Sequence, residues 1–289
     1  MGPSKDGHRG TAAVLLWLLV FALVEGHAHL LWLVEASAPD PDLVPIGRLH
    51  RIELNITGTE PPRRHSSRSP PTVAARHLLL YVPTTATLSR PLPLLLYFHG
   101  QGGAPRTDAE SSKYNAVAER TGQFAVVYLG GIGASDGGCN SGWNVGIFAH
   151  NTTTCLPRTR SAACDCTCCY ASCKAIGVCT ADNEGSNCGW ATCYDDVAFT
   201  KAAVAAVDAE LPSGAGLIYA TGFSNGGMFV HHLAAEFGER LSGVVPVYGL
   251  PLVGDTSVPS GVPIMQLHDR FDTTIPPGGG PSDDGWLYE

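Results

Sequence analysis

The stretch Gly222-Phe223-Ser224-Asn225-Gly226-Gly227 narrows the fold more than any other part of the chain. An apolar run precedes it, Leu217, Ile218, Tyr219 and Ala220. A helical pattern follows, with Phe229, Val230, Leu233, Ala234 and Phe237 inward and Gly238 near its end. G-x-S-x-G between a strand and a helix marks a sharp, strained turn that holds a serine hydroxyl clear of a sheet. Side chains at positions 222 and 226 would clash across so tight a turn, and glycine tolerates the backbone geometry. The chain has 34 glycines, so the pattern alone could arise by chance. The strand before it and the helix after it argue for the turn.

The same rhythm runs through the rest of the chain. Strands are expected at Leu78–Val82, Leu92–His99, Phe124–Leu129, Leu217–Thr221, Val244–Tyr248 and Val262–Leu267. Leu92–His99 is apolar throughout, as in a strand buried on both faces. A helix over Ser112–Gly122 puts Tyr114, Val117, Ala118 and Thr121 on one face and stops at Gly122. Another, capped by a box at Thr192-Cys193-Tyr194-Asp195, runs to about Glu210 with Val197, Val204, Val207 and Leu211 inward. Alternating strands and helices predict an α/β fold, a mostly parallel sheet with helices on both faces.

The first 28 residues read as a signal peptide, with Lys5 and Arg9, an apolar core Ala12–Val24 and small residues at a cut after Ala28. Ala36-Ser37-Ala38 offers a second cut. Glu25, His27 and His29 interrupt the apolar stretch, so neither half reaches the ~20 residues of a membrane span. Secretion to the extracellular space, with no membrane attachment of the mature form, is the expectation. Residues 29–75 read as a flexible leader rich in Pro, Ser and Arg, carrying one strand at Leu49–Ile56. Asn55 and Asn151 begin glycosylation sequons. A net charge of −8 argues against nucleic acid and anionic membranes as partners. All ten cysteines fall within 139–193, an insertion in the domain 76–289. Vicinal Cys168-Cys169 suits disulfides in an oxidising compartment better than one tetrahedral metal site. We expect no metal and no other cofactor. From its placement, the insertion could form a cap over Ser224 or a surface ornament.

Acyl transfer requires a nucleophile, a base, a group to orient that base and donors for the oxyanion. Ser224 is the candidate nucleophile. His99-Gly100-Gln101-Gly102-Gly103 follows a buried strand as a Gly-rich oxyanion loop does, and the N–H groups of Gln101 and Asn225 are the candidate donors. Asp272 lies just past the last strand and after the serine, with Asp269 as its rival.

These residues resemble those of the secreted α/β-hydrolase esterases grouped as feruloyl esterases and polyhydroxybutyrate depolymerases. The match rests on Leu80-Tyr81-Val82-Pro83, His99-Gly100, Trp143-Asn144, Asp195-Asp196-Val197-Ala198-Phe199, Gly222–Gly227 and His268…Asp272 with Ile275-Pro276 after it. It covers roughly 76–289 apart from the insertion. The resemblance implies an α/β-hydrolase fold, a serine that attacks a carboxylic ester, and Asp272 as the acid. It implies hydroxycinnamoyl esters of plant polysaccharide, or polyesters, as substrates. Asp269 stands where that family has glycine.

In the order Ser…Asp…His, a histidine should follow the acid. None lies in the 17 positions after Asp272, so we expect a truncated sequence. His231 and His232 lie about two turns along the helix from Ser224, beyond hydrogen-bond reach. The rival readings are a non-catalytic, disulfide-rich binding protein on this scaffold and a peptidase of the same fold.

Overall fold

The computed structural model describes residues 46–57, 73–132, 141–145, 149–150, 187–188, 192, 194–252, 261–283 and 287–288. The expected signal peptide, Asn151, the cysteine side chains and most of the insertion lie outside them.

The strands are β1 (Leu49–Thr57), β2 (Val73–Tyr81), β3 (Leu92–Phe98), β4 (Ala125–Leu129), β5 (Ala149–His150), β6 (Asn187–Cys188), β7 (Ala215–Phe223), β8 (Gly243–Val247), β9 (Gly280–Pro281) and β10 (Leu287–Tyr288). The α-helices are α1 (Pro105–Ser111), α2 (Tyr114–Thr121), α3 (Asp196–Glu210) and α4 (Asn225–Glu236). Six strands form one mixed sheet in the order β1-β2-β4-β3-β7-β8. β2 is antiparallel to both β1 and β4, and β4, β3, β7 and β8 run parallel.

Side-chain pattern explains each strand's place. β1 alternates, burying Ile52, Leu54 and Ile56 and exposing Arg51, Glu53 and Asn55, as suits an edge strand covered on one face. It pairs with β2 along its whole length, so the strand expected in the leader is part of the sheet. β3 and β4 are apolar on both faces and lie at the centre. One core joins α3 and α4 to the sheet through Val197, Phe199, Val207, Phe229, Leu233, Leu94 and Leu96. The other lies under α1 and α2, around Leu79, Leu95, Ala109, Ala118, Tyr128 and Tyr219.

Three details differ from the sequence reading. The cap of α3 is Asp195, whose Oδ1 accepts the Ala198 N–H at 2.6 Å, and not a box begun by Thr192. Helix α1 was not expected; it buries only Pro105 and Ala109, too few apolar positions to show a period. The segment 262–267 meets β8 through two parallel bridges, Val244↔Ile264 and Val247↔Leu267, without a continuous ladder. Pro263 supplies no N–H to β8, and Ile264 and Met265 are exposed, while Val262 packs against the core.

Candidate active site

The C-terminal ends of β3, β7 and β8 meet at one edge of the sheet, where ligands bind in open α/β folds. Phe98 pairs with Gly222, and Phe223 with Val247. Ser224 follows at φ 53°, ψ −119°, outside the conformations a side chain prefers. Its N–H donates to Val247 O at 2.9 Å, and Met228 N–H donates to its carbonyl at 2.9 Å. The strain is held by this bonding and by missing side chains. A Cβ on Gly222 would overlap the Gly226 carbonyl. One on Gly226 would overlap Phe98 O, at the end of the neighbouring strand. Gly226 therefore permits close approach of helix to sheet, where the sequence suggested only the turn itself.

The loop after β3 lies against this turn. A Cβ on Gly100 would come within 3.0 Å of Phe223 Cδ1 and 3.5 Å of Ser224 Cβ. His99 anchors the loop from beneath. Its Nδ1 lies 2.8 Å from Gly100 O, and its Nε2 lies 2.9 Å from Gly131 N. A carbonyl only accepts and an amide N–H only donates, so the ring is protonated at Nδ1. Burial pushes its pKa down to about 4, aided by nearby Arg76 and His77 and opposed by the Gly100 bond, so the ring is neutral. Gly103 N–H returns to Gly100 O, and Gly102 N–H donates to Ser141 O. Gln101 is exposed at the tip of this loop. Asn225 begins α4, where a helical N–H has no carbonyl within its own helix.

Trp143 ties the two donor elements together. Its N–H donates to Asn225 Oδ1 and its indole N–H to His99 O, each at 2.8 Å. The ring packs between Phe98 and Phe229. Next to it, Asn144 N–H donates to Asp196 Oδ2 at 2.6 Å. The other oxygen of Asp196 pairs with Arg76 Nη2 at 2.6 Å, with both side chains buried. Arg76 also donates to Gly130 O and stacks over Phe199, 4.1 Å from the ring centre. This buried pair joins β2, the end of β4, the Trp143 loop and α3. Sequence reasoning missed it, although a lone arginine in the apolar strand Val73–Tyr81 was the available sign. A cavity of about 240 Å³ behind the loop, lined in part by Arg51, His77, His99 and Arg106, has neither Ser224 nor Asp272 in its wall.

The acid loop stands one strand beyond β8, at the same end as Ser224, because Leu267 is level with Val247. Asp272 Oδ1 accepts the N–H groups of Thr274 and Ile275, both at 2.9 Å, and Oδ2 lies 3.2 Å from His268 Nε2. Asp269, the rival, is exposed and accepts the N–H of Phe271. His231 bonds Gln266, and His232 is fully buried. Among the described residues, no hydrogen bond or ion pair joins a histidine to Ser224. The described residues also hold no cluster of three or more His, Cys, Asp or Glu able to bind a metal, and no helix long and apolar enough to cross a membrane.

A strand-order reversal, a parallel core and a strained serine between strand and helix give the architecture of an α/β-hydrolase. No family profile matches the chain, and no curated protein does. Solved structures do. They include an acetyl xylan esterase from Aspergillus awamori, with 15% identity, a TM-score of 0.41 and coverage of 75% of this chain and 58% of that one. A thermostable esterase is 16% identical at a TM-score of 0.42, over 78% of this chain and 48% of that one. The poly(3-hydroxybutyrate) depolymerase LpqC from Bordetella parapertussis is 17% identical at 0.41, over 80% and 70%. The chain thus spans about half to three-fifths of the length of the first two. At this level of likeness, the fold assignment rests on the strand order and the serine's geometry.

Proposed function

We propose that this protein is a secreted serine hydrolase of carboxylic esters, with Ser224 as nucleophile and Asp272 as acid. The N–H groups of Gln101 and Asn225 would receive the oxyanion. The observation that carries the reading is the backbone of Ser224, held at φ 53° with the glycine loop packed against it. Such strain persists only where the surroundings enforce it, and it concentrates at functional sites. Within the class, hydroxycinnamoyl esters on plant polysaccharide come first and polyesters second, on the motif resemblance.

The test is labelling of the full-length protein with a fluorophosphonate probe, followed by turnover of a hydroxycinnamoyl methyl ester and a hydroxybutyrate oligomer. A covalent adduct on Ser224 that is lost in Asp272→Asn supports the reading. An unlabelled Ser224 beside a labelled control hydrolase overturns it. The second reading is a binding protein on a hydrolase scaffold. It is favoured by the lack of any bond from a described histidine to Ser224.

A further inference from the structure

We propose that His268 is a positioning residue for Asp272, locked as the neutral tautomer protonated at Nε2 by the carboxamide of Gln266. The inference rests on the reading of Asp272 as the acid, but the lock itself follows from hydrogen bonding alone. Two backbone carbonyls fix the direction of the chain of bonds. Gln266 Nε2 lies 3.0 Å from Gly249 O, so that end of the carboxamide must be the NH₂ group. The same nitrogen lies 3.1 Å from His268 Nδ1, which must therefore accept. Gln266 Oε1 faces His231 Nε2 at 3.0 Å, the correct polarity for an imidazole N–H donor. At the other side of the ring, His268 Nε2 lies 2.6 Å from Ile275 O, which can only accept. The single ring proton is thus on Nε2, and the same N–H faces Asp272 Oδ2 at 3.2 Å.

The consequence is a division of labour. Asp272 Oδ1 is held by two backbone N–H groups, and Oδ2 by the His268 edge, so the carboxylate plane is fixed from both sides. The ring lies tilted against Tyr248, 5.4 Å between centres, and Tyr248 itself sits at φ 53° against Phe223. His268 has no ring nitrogen left to take a proton from Ser224, and His99 has none either. Each ring is locked, in opposite tautomers, one bracing the oxyanion loop and the other the acid loop.

The experiment is two-bond ¹H–¹⁵N spectroscopy of the histidine rings in the whole chain at pH 7.5, with His268 assigned by its loss in His268→Gln. The expected pattern is a neutral imidazole protonated at Nε2. In Gln266→Glu, which replaces the donor with an acceptor, both ring nitrogens face acceptors, and that pattern should convert to a doubly protonated imidazolium. In parallel, fluorophosphonate labelling of Ser224 in the full-length protein should slow about tenfold or more in His268→Ala, the order expected on losing a close contact to a charged group. His268→Gln keeps a donor at the same reach and should recover most of the rate. An Nδ1-protonated ring in the unaltered protein overturns the proposal, as does labelling of His268→Ala at the unaltered rate. If the unaltered protein takes no label, the hydrolase reading falls with it. The spectra then decide the lock alone.

Discussion

The proposed oxyanion wall and the proposed acid wall stand on the same end of one sheet but are held by different means. The oxyanion wall is buried. His99, Trp143, Asn144, Asn225, Arg76 and Asp196 are each almost wholly enclosed, and their polar atoms join five separate segments. The acid wall hangs from a segment joined to β8 by two bridges, with Ile264, Met265 and Phe271 exposed. Its order comes from four backbone bonds to 244–248, from buried Ile275 and from side-chain bonds within 266–275. Low-dielectric packing makes the first wall stiff and costly to disturb. The second can change locally at little cost to the whole fold.

Substitution should expose that contrast. Asp196→Ala leaves Arg76 buried without its counter-charge and should cost about 3–5 kcal/mol in urea unfolding. A loss below 1 kcal/mol would mean the pair is not buried as described. The next effect concerns pH. His99 is held near a pKa of about 4 in the fold, against 6.5 unfolded, so the unfolded chain binds the extra proton first. Its contribution is fully present above pH 6.5 and is lost as pH falls toward 4. About 3 kcal/mol should go over that window, and His99→Asn should remove this part of the slope.

Asp108 has the opposite sign. Burial raises its pKa to about 6 from 3.8, so its ionisation opposes folding as pH rises through that range. Asp108→Asn should therefore gain about 1 kcal/mol at pH 7.5, screening at its half-exposed carboxylate being allowed for, and nothing at pH 3.5.

Ser224→Gly tests the strain directly. Relief of the backbone should outweigh glycine's entropy cost by about 1 kcal/mol, while covalent labelling disappears. A destabilised variant would show that φ 53° is not strained here. The smallest effect belongs to the acid wall's surface. Phe271→Ser, 71% exposed, should lie within about 0.5 kcal/mol of the unaltered protein in the same urea titration.

The two walls also differ in how far the sequence revealed them. The serine's turn was legible because its geometry demands glycine at 222 and 226, and glycine leaves a mark in any chain. The central strands were legible from unbroken apolar runs, and α3 and α4 from their period. Asp272 was not legible from chemistry alone; beside Asp269, only the motif resemblance chose it. In the structure Asp272 accepts two backbone bonds and meets His268, while Asp269 is exposed and accepts one backbone bond. Arg76 and Asp196 stayed hidden because they meet only after folding, across 120 positions, and a buried charge leaves no periodic trace. Helix α1 and the Asp195 cap were missed for a simpler reason: two apolar residues make no pattern, and Thr192 with an acidic residue three positions on mimics a capping box.

The exposed pair Ile264 and Met265 has a practical meaning for anyone handling the protein. A strand margin with Ile264 and Met265 in solvent is a template for another chain to add itself edge to edge. Self-adhesion should therefore begin at this margin when the protein is concentrated, and a lysine in place of Ile264 should suppress it.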